Sequence, residues 1–213
     1  MEHAMLDLTT LMVFLAATLA LNVTPGPDML YVVARGVSEG RKAGIVSALG
    51  IAAGCLVHTF AIAAGLSGLL MAVPLAFEVV KFTGAAYLLY LGVRALISRD
   101  TALAAPTVER ARLWVIFRQG VVTNVLNPKV ALFFLAFLPQ FVDPKRGSVA
   151  AQFILLGFIF NASGTLVNGV VAIVSSGAGQ WTRRRLGTSS FFKRATGLVF
   201  VGLGLRLALL ERK

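Results

Sequence analysis

The sequence predicts an all-α integral membrane protein of six transmembrane helices, built as two inverted three-helix repeats in which helices one and four are broken. Composition is the first observation: 57% of the 213 residues are hydrophobic and only 14% are charged, with a mean hydropathy of +0.83. A soluble domain of this size needs more polar surface. The second is the spacing of charge. No Asp, Glu, Lys or Arg occurs from Ala43 to Phe77 or from Gly147 to Thr182, and about 20 apolar residues suffice to cross a bilayer. The third is an echo between the halves. Each opens with an apolar span interrupted by Asn-Val and then by a proline followed by a charge: Asn22-Val-Thr-Pro-Gly-Pro27-Asp28 and Asn124-Val-Leu-Asn127-Pro128-Lys129. The period-two alternation of a membrane barrel is absent.

The first span is expected over Leu8–Ala34. Glu2 and Asp7 stand where a secretory leader carries basic residues, and no small-residue cleavage site stands out, so this segment is expected to be retained. The second span, Ala43–Leu70, is lined by Gly44, Gly50, Ala53, Gly54, Gly65 and Gly68, which permit close helix contact. The third, Val73–Ile97, carries Glu78 and Lys81 near its outer end, where snorkelling accounts for them. The polar segment Ser98–Leu113 then separates the halves. The fourth span is Trp114–Phe141. The fifth, Val149–Val174, carries Asn161 and Asn168 two turns apart on one face, where packing is favoured over pore lining. The sixth is Phe191–Leu210, with Gly197, Gly202 and Gly204 for packing. The chain thus reads as a single transmembrane domain, 1–213, with repeat one over about 1–97, a linker over about 98–113 and repeat two over about 114–213.

The net charge of +11 would suggest nucleic acid in a soluble protein. Here the basic residues cluster between spans and read as topology signals. Arg35, Arg41 and Lys42 follow span one. Arg94, Arg99, Arg110, Arg112 and Arg118 surround the linker. Arg183, Arg184, Arg185, Lys193 and Arg194 precede span six. These loops are expected to be cytoplasmic, which leaves both termini outside. The single cysteine, Cys55, excludes an intramolecular disulfide and a two-thiol relay.

The broken helices carry the chemistry. Pro25 and Pro27 have no N–H and cannot bond the carbonyls of Leu21 and Val23; Pro128 frees that of Asn124. Bare carbonyls in lipid cost several kcal/mol each, so such breaks are tolerated only against protein or a wet cavity. Proline suits the first helical position, so new segments are expected to start at Pro27 and Pro128, with Asp28 and Lys129 in their first turns. One break then offers a carboxylate and the other an ammonium. Paired, proline-interrupted spans in corresponding places of two halves point to a central site. That site is expected to take a zwitterion: Asp28 for its ammonium, Lys129 for its carboxylate. Asn22, Thr24, Asn124, Asn127 and the backbone around Pro25, Gly26, Pro27 and Pro128 would complete it. Asp28 is also the candidate proton carrier, since ionisable groups within spans are usually functional. The competing reading is that Asp28 and Lys129 pair with each other and the prolines only kink helices. His58, with only His3 besides, supports no metal site and reads as a hydrogen-bonded structural histidine. No nucleotide, zinc or nucleophile motif occurs, so no cofactor is expected and an ion gradient is favoured over ATP.

Further residues fit a known pattern. Thr24-Pro-Gly-Pro27, Lys81-Phe-x-Gly84-Ala85-x-Tyr87-Leu-x-Tyr90-Leu-Gly92, and Asn124-x-x-Asn127-Pro-Lys129 followed by Phe133-Phe134 and Pro139-Gln140-Phe141 occur in that order. Over essentially its whole length the chain resembles the LysE/RhtB family of bacterial amino-acid exporters. The resemblance implies a multi-pass carrier of the bacterial inner membrane. It implies efflux of amino acids or derivatives such as basic amino acids, threonine, homoserine or homoserine lactones. It implies proton antiport, with protons, the small-molecule substrate and the lipid bilayer as partners, and carriers that can form homodimers. The family motifs fall on Pro25, Gly26 and Pro27 and on Asn127, Pro128 and Lys129. The family tolerates other residues where this chain has Asp28. The alternatives are an exporter of another small solute such as a metal cation, disfavoured by the scarcity of intramembrane carboxylates and histidines, and an integral-membrane enzyme, for which no catalytic spacing is present. A non-transporting scaffold would leave two matched helix breaks unexplained.

Overall fold

The computed structural model describes residues 7–66 and 111–177, with single helical residues between Val79 and Ile97 and between Leu198 and Leu205. Most of predicted spans three and six, most of the linker, and the Glu78, Lys81, Gly68, Gly197 and Gly204 readings lie outside the described residues.

The described residues form helices joined by short breaks and turns. Helix α1, Leu8–Val23, starts where Asp7 accepts a hydrogen bond from the Thr10 amide at 2.7 Å. That amide holds the Asp7 carboxyl below its usual range. The helix stops because Pro25 cannot donate; the Thr24 N–H closes a last tight turn on the Leu21 carbonyl at 3.2 Å. Helix α2, Pro27–Glu39, restarts with proline in its first turn, bent 48° from α1. Gly40, at φ +89°, makes the turn into α3, Arg41–Ala61, which continues through a widened turn, Ile62–Leu66. The fourth span has the same plan as the first. Helix α4, Leu113–Val125, breaks, and α5, Pro128–Leu132, restarts with proline in its first turn. A π turn, Phe133–Phe137, and a 3₁₀ turn, Leu138–Phe141, carry the chain on, the latter beginning around Pro139. The two segments are bent by 46°. After a short turn at Pro144–Arg146, α6 runs over Val149–Gly177.

Helices Arg41–Gly65 and Val149–Gly177 are each long and apolar enough to cross a membrane, and each bent pair is so when taken together. Contacts at the ends give their directions. Asp7 meets Arg146 at 3.7 Å, placing the start of α1 beside the turn before α6. At the opposite end Glu39 accepts from the Ala111 amide at 2.6 Å. The two broken pairs therefore run antiparallel.

Two readings of the expected spans change. The first broken span continues past Ala34 to Glu39, and Arg35 is not a loop residue: it is buried in α2, paired with Glu39 one turn on. Its guanidinium also donates to Gln119 Oε1 of α4 at 2.6 Å. A charge neutralised within its own helix does not end that helix. Among the described residues nothing lies within 4 Å of the place a Cβ on Gly65 would take; at φ +107° it interrupts the helix.

Phenylalanines from both halves fill the core. Phe133 stacks on Phe160 with centroids 4.6 Å apart, and Phe14 meets Phe141 edge-on at 5.2 Å. A second cluster, Val32, Ala48, Ile51 and Ala172, lies toward the Glu39 end. Leu8, Met12, Leu49, Phe60, Phe158 and Leu166 face outward, as a lipid-facing surface requires.

Candidate functional site between two helix breaks

Each break turns its proline outward and the following charge inward. Pro27 and Pro128 are exposed, while Asp28 and Lys129 are each only 8% exposed. Asp28 falls at the second position of α2 and Lys129 at the second position of α5, so equivalent geometry delivers opposite charges to the same interior.

The breaks cap one another. Lys129 Nζ donates to the Leu21 carbonyl at 3.1 Å and to the Thr24 carbonyl at 2.9 Å. Leu21 O is the carbonyl that Pro25 frees. The carbonyl freed by Pro128, Asn124 O, lies 3.2 Å from His58 Nε2 of α3, and the Asn127 amide also reaches it at 3.0 Å. His58 is thus the hydrogen-bonded structural histidine expected from sequence. The Asn124 amide donates to Asp28 Oδ2 at 2.8 Å, tying the second break to the first.

Among the described residues Asp28 and Lys129 form no direct ion pair; the amide of Asn124 holds the carboxylate and two carbonyls hold the ammonium. The simple pairing weighed from sequence is therefore not what the structure has. Asp28 Oδ1 and Asn124 Oδ1 are buried and make no hydrogen bond. They are two acceptors facing a cavity, a place for a cationic donor.

That cavity is narrow, with about 30 Å³ of free volume, room for only a few water molecules. Among its walls, the breaks supply Asn22, Asp28, Asn124 and Lys129. Helix α3 supplies Ile51, Ala52 and Cys55. Helix α6 supplies Phe160, Asn161, Gly164, Thr165 and Asn168.

Of the residues predicted for the site, Asn22, Asp28, Asn124 and Lys129 meet at the cavity. Thr24, Pro25, Gly26, Pro27, Asn127 and Pro128 shape the breaks around it. Thr24 returns its hydroxyl to the Ala20 carbonyl at 2.6 Å and offers its own carbonyl to Lys129. Asn127 caps α5, accepting from the Lys129 amide at 3.0 Å. A Cβ on Gly26 would lie 3.1 Å from Lys129 Nζ, so the lysine would have to give by a few tenths of an ångström. Asn22 does not point at a charge but donates to Ser163 Oγ at 2.9 Å, docking α1 on α6. This approach is open because position 164 is glycine; a Cβ there would stand 3.1 Å from Asn22 Oδ1.

The α6 wall is what the sequence reading undervalued. Asn161 does pack, donating to the Ala52 carbonyl at 3.2 Å, but it and Asn168 also line the cavity. The available signal was the i, i+4, i+7 row Asn161, Thr165, Asn168, a polar stripe on an otherwise apolar helix.

Residues 19–211 match the family described as LysE type translocator. An uncharacterized membrane protein of Pseudomonas aeruginosa is 31% identical over 208 residues, covering 95% of this chain and 96% of that one. A leucine efflux protein of Salmonella typhimurium is 28% identical over 215 residues, 99% of this chain and 98% of its own. One of Klebsiella pneumoniae is 27% identical over 201 residues, 93% and 94% respectively. No solved structure matches the chain.

Proposed function

Because the chain belongs to the LysE type translocator family, a multi-pass transporter of the bacterial inner membrane and not an enzyme, we propose that it exports zwitterionic amino acids or their close derivatives. The observation that carries this reading is the pair of opposite charges, Asp28 and Lys129, delivered by two matched helix breaks to one cavity without bonding each other. The substrate ammonium goes to Asp28 Oδ1 and Asn124 Oδ1, which have no protein donor. The substrate carboxylate goes to Lys129, whose ammonium has three N–H groups and uses two on carbonyls. The efflux function named for the Salmonella and Klebsiella relatives supports the same direction of transport.

The finer features belong to the same proposal. Six spans form two inverted repeats, about 1–97 and 114–213, and move against each other to expose the cavity alternately. The antiparallel course of the two broken pairs supports this. The Glu39 end faces the cytoplasm, in keeping with the basic residues around it. Export is driven by proton antiport, with Asp28 as the carrier: a carboxylate that binds either a proton or a substrate ammonium couples the two by competition.

Uptake of a labelled amino-acid panel into inverted membrane vesicles, with and without an acidic interior, tests this. Accumulation of at least one amino acid that collapses with the proton gradient is expected. Accumulation indifferent to the gradient would remove antiport. No flux of any amino acid from folded protein would remove the function.

A further inference from the structure

Resting on that reading, we infer that Asn168 of α6 is a specificity residue, which contacts the substrate's side chain and selects one that is neutral and forms hydrogen bonds. Four polar side chains on the cavity wall already have partners. Asn22 bonds Ser163 and the Phe160 carbonyl. Asn161 bonds the Ala52 carbonyl through its Nδ2 and receives the Thr165 hydroxyl at 3.4 Å on its Oδ1. Lys129 bonds two carbonyls. Asn168 is different. It is 8% exposed, it lines the cavity, and it makes no hydrogen bond among the described residues. A primary amide buried in an apolar membrane helix is unfavourable unless something bonds it, and here the cavity is what it faces.

Its position separates it from the groups proposed to hold the substrate's head. Asp28, Asn124 and Lys129 belong to the two helix breaks. Asn168 lies on an unbroken helix, and Ile51, also in the wall, supplies apolar surface. With the two charges engaged by the zwitterion, the described wall left for the side chain carries no charge. An amide offers both a donor and an acceptor there, so a hydroxyl or amide side chain gains a bond, an aliphatic one leaves the amide unmet, and an ammonium or carboxylate meets no countercharge.

The test is competition between labelled threonine, leucine and lysine in inverted vesicles, for the wild type and for Asn168→Leu, Asn168→Asp and Asn168→Ser. Ratios of uptake within one preparation do not depend on how much protein folds. Wild type is expected to prefer threonine over leucine. Asn168→Leu should lower that ratio about fivefold, the worth of one neutral hydrogen bond. Asn168→Asp should raise lysine relative to threonine by about tenfold, and Asn168→Ser should stay near the wild-type ratio. Unchanged ratios in the leucine and aspartate variants would overturn the role of Asn168 while wild-type flux left the exporter reading intact. Equal loss of all three substrates from folded Asn168→Leu would place the residue on the common head or in packing, and would overturn the specificity role as well. Absence of flux in the wild type is the separate failure of the exporter reading.

Discussion

Lys129 is the residue that joins the second helix break to the first. Its side chain, from the second break, supplies the hydrogen bonds that the first break lacks, to the carbonyls of Leu21 and Thr24. Lys129→Met would leave the Thr24 carbonyl without its donor, at roughly 1–3 kcal/mol, and the Leu21 carbonyl with only the Thr24 N–H. A markedly lower unfolding temperature in detergent is expected; an unchanged one would show that the carbonyls find other partners. Gly26→Ala acts on the same contact from the other side, since the added Cβ would lie 3.1 Å from Nζ. It should cost less, about 1 kcal/mol for a displaced hydrogen bond, and weaken substrate binding with it, seen as a raised half-saturation concentration in uptake. The sequence shows why Lys129 matters but not what it touches. A lysine after a proline inside an apolar span is conspicuous by itself, whereas its partners lie more than a hundred residues away, at a separation of 105 for Thr24. The same holds for His58: as a lone histidine it reads as structural, but nothing local names Asn124 as its partner.

At the scale of elements, the glycines of α3 set the distance to α4. A Cβ on Gly54 would meet the Val121 carbonyl at 2.7 Å and Asn124 Cβ at 2.8 Å, and one on Gly120 would meet the Ser47 carbonyl at 2.9 Å. These are backbone and short side-chain atoms that cannot swing aside. Gly54→Val should therefore push the helices apart, destabilising by about 1–3 kcal/mol as overpacked cores do, and shift Asn124 away from Asp28. Thermal unfolding together with uptake checks it, and a stable, active variant would show that α3 and α4 are free to separate. Helix starts were legible, because Pro27 and Pro128 mark them chemically. Helix ends were less so. Arg35 looked like the first loop charge, yet Glu39 stands four residues on, the spacing at which helical charges pair. The π turn at Phe133–Phe137 left no mark beyond Pro139, which cannot donate to the carbonyl a turn before it.

Among the described residues the halves are joined along their length, from Asp7 and Arg146 at one end to Glu39 and Ala111 at the other. At the breaks the links are Lys129 to Leu21 and Thr24, and Asn124 to Asp28. At the Glu39 end they are Arg35 to Gln119, Glu39 to the Ala111 amide, and the Tyr31 hydroxyl to the Ile116 carbonyl at 2.7 Å. Glu39→Gln takes one charged partner from the buried Arg35 and should lower the unfolding temperature, by roughly 1–3 kcal/mol of stability for a hydrogen bond to a charged group; a neutral effect would mean that the remaining partners of Arg35 suffice. The membrane class and the two breaks were legible because lipid makes apolar length and proline unusually informative. The cavity was only half legible, since the α6 wall is assembled by packing and carries no break to announce it. The central claim is that the two breaks form one transport site. It is tested most directly by gradient-driven uptake of the wild type's own amino-acid substrate into inverted vesicles, comparing wild type, Asp28→Asn and Lys129→Ala at matched amounts of folded protein. Asp143→Asn, outside the cavity, serves as the control. Uptake at least tenfold lower in both break variants, with the control unaffected, is the expected result. Full uptake by either break variant would contradict it.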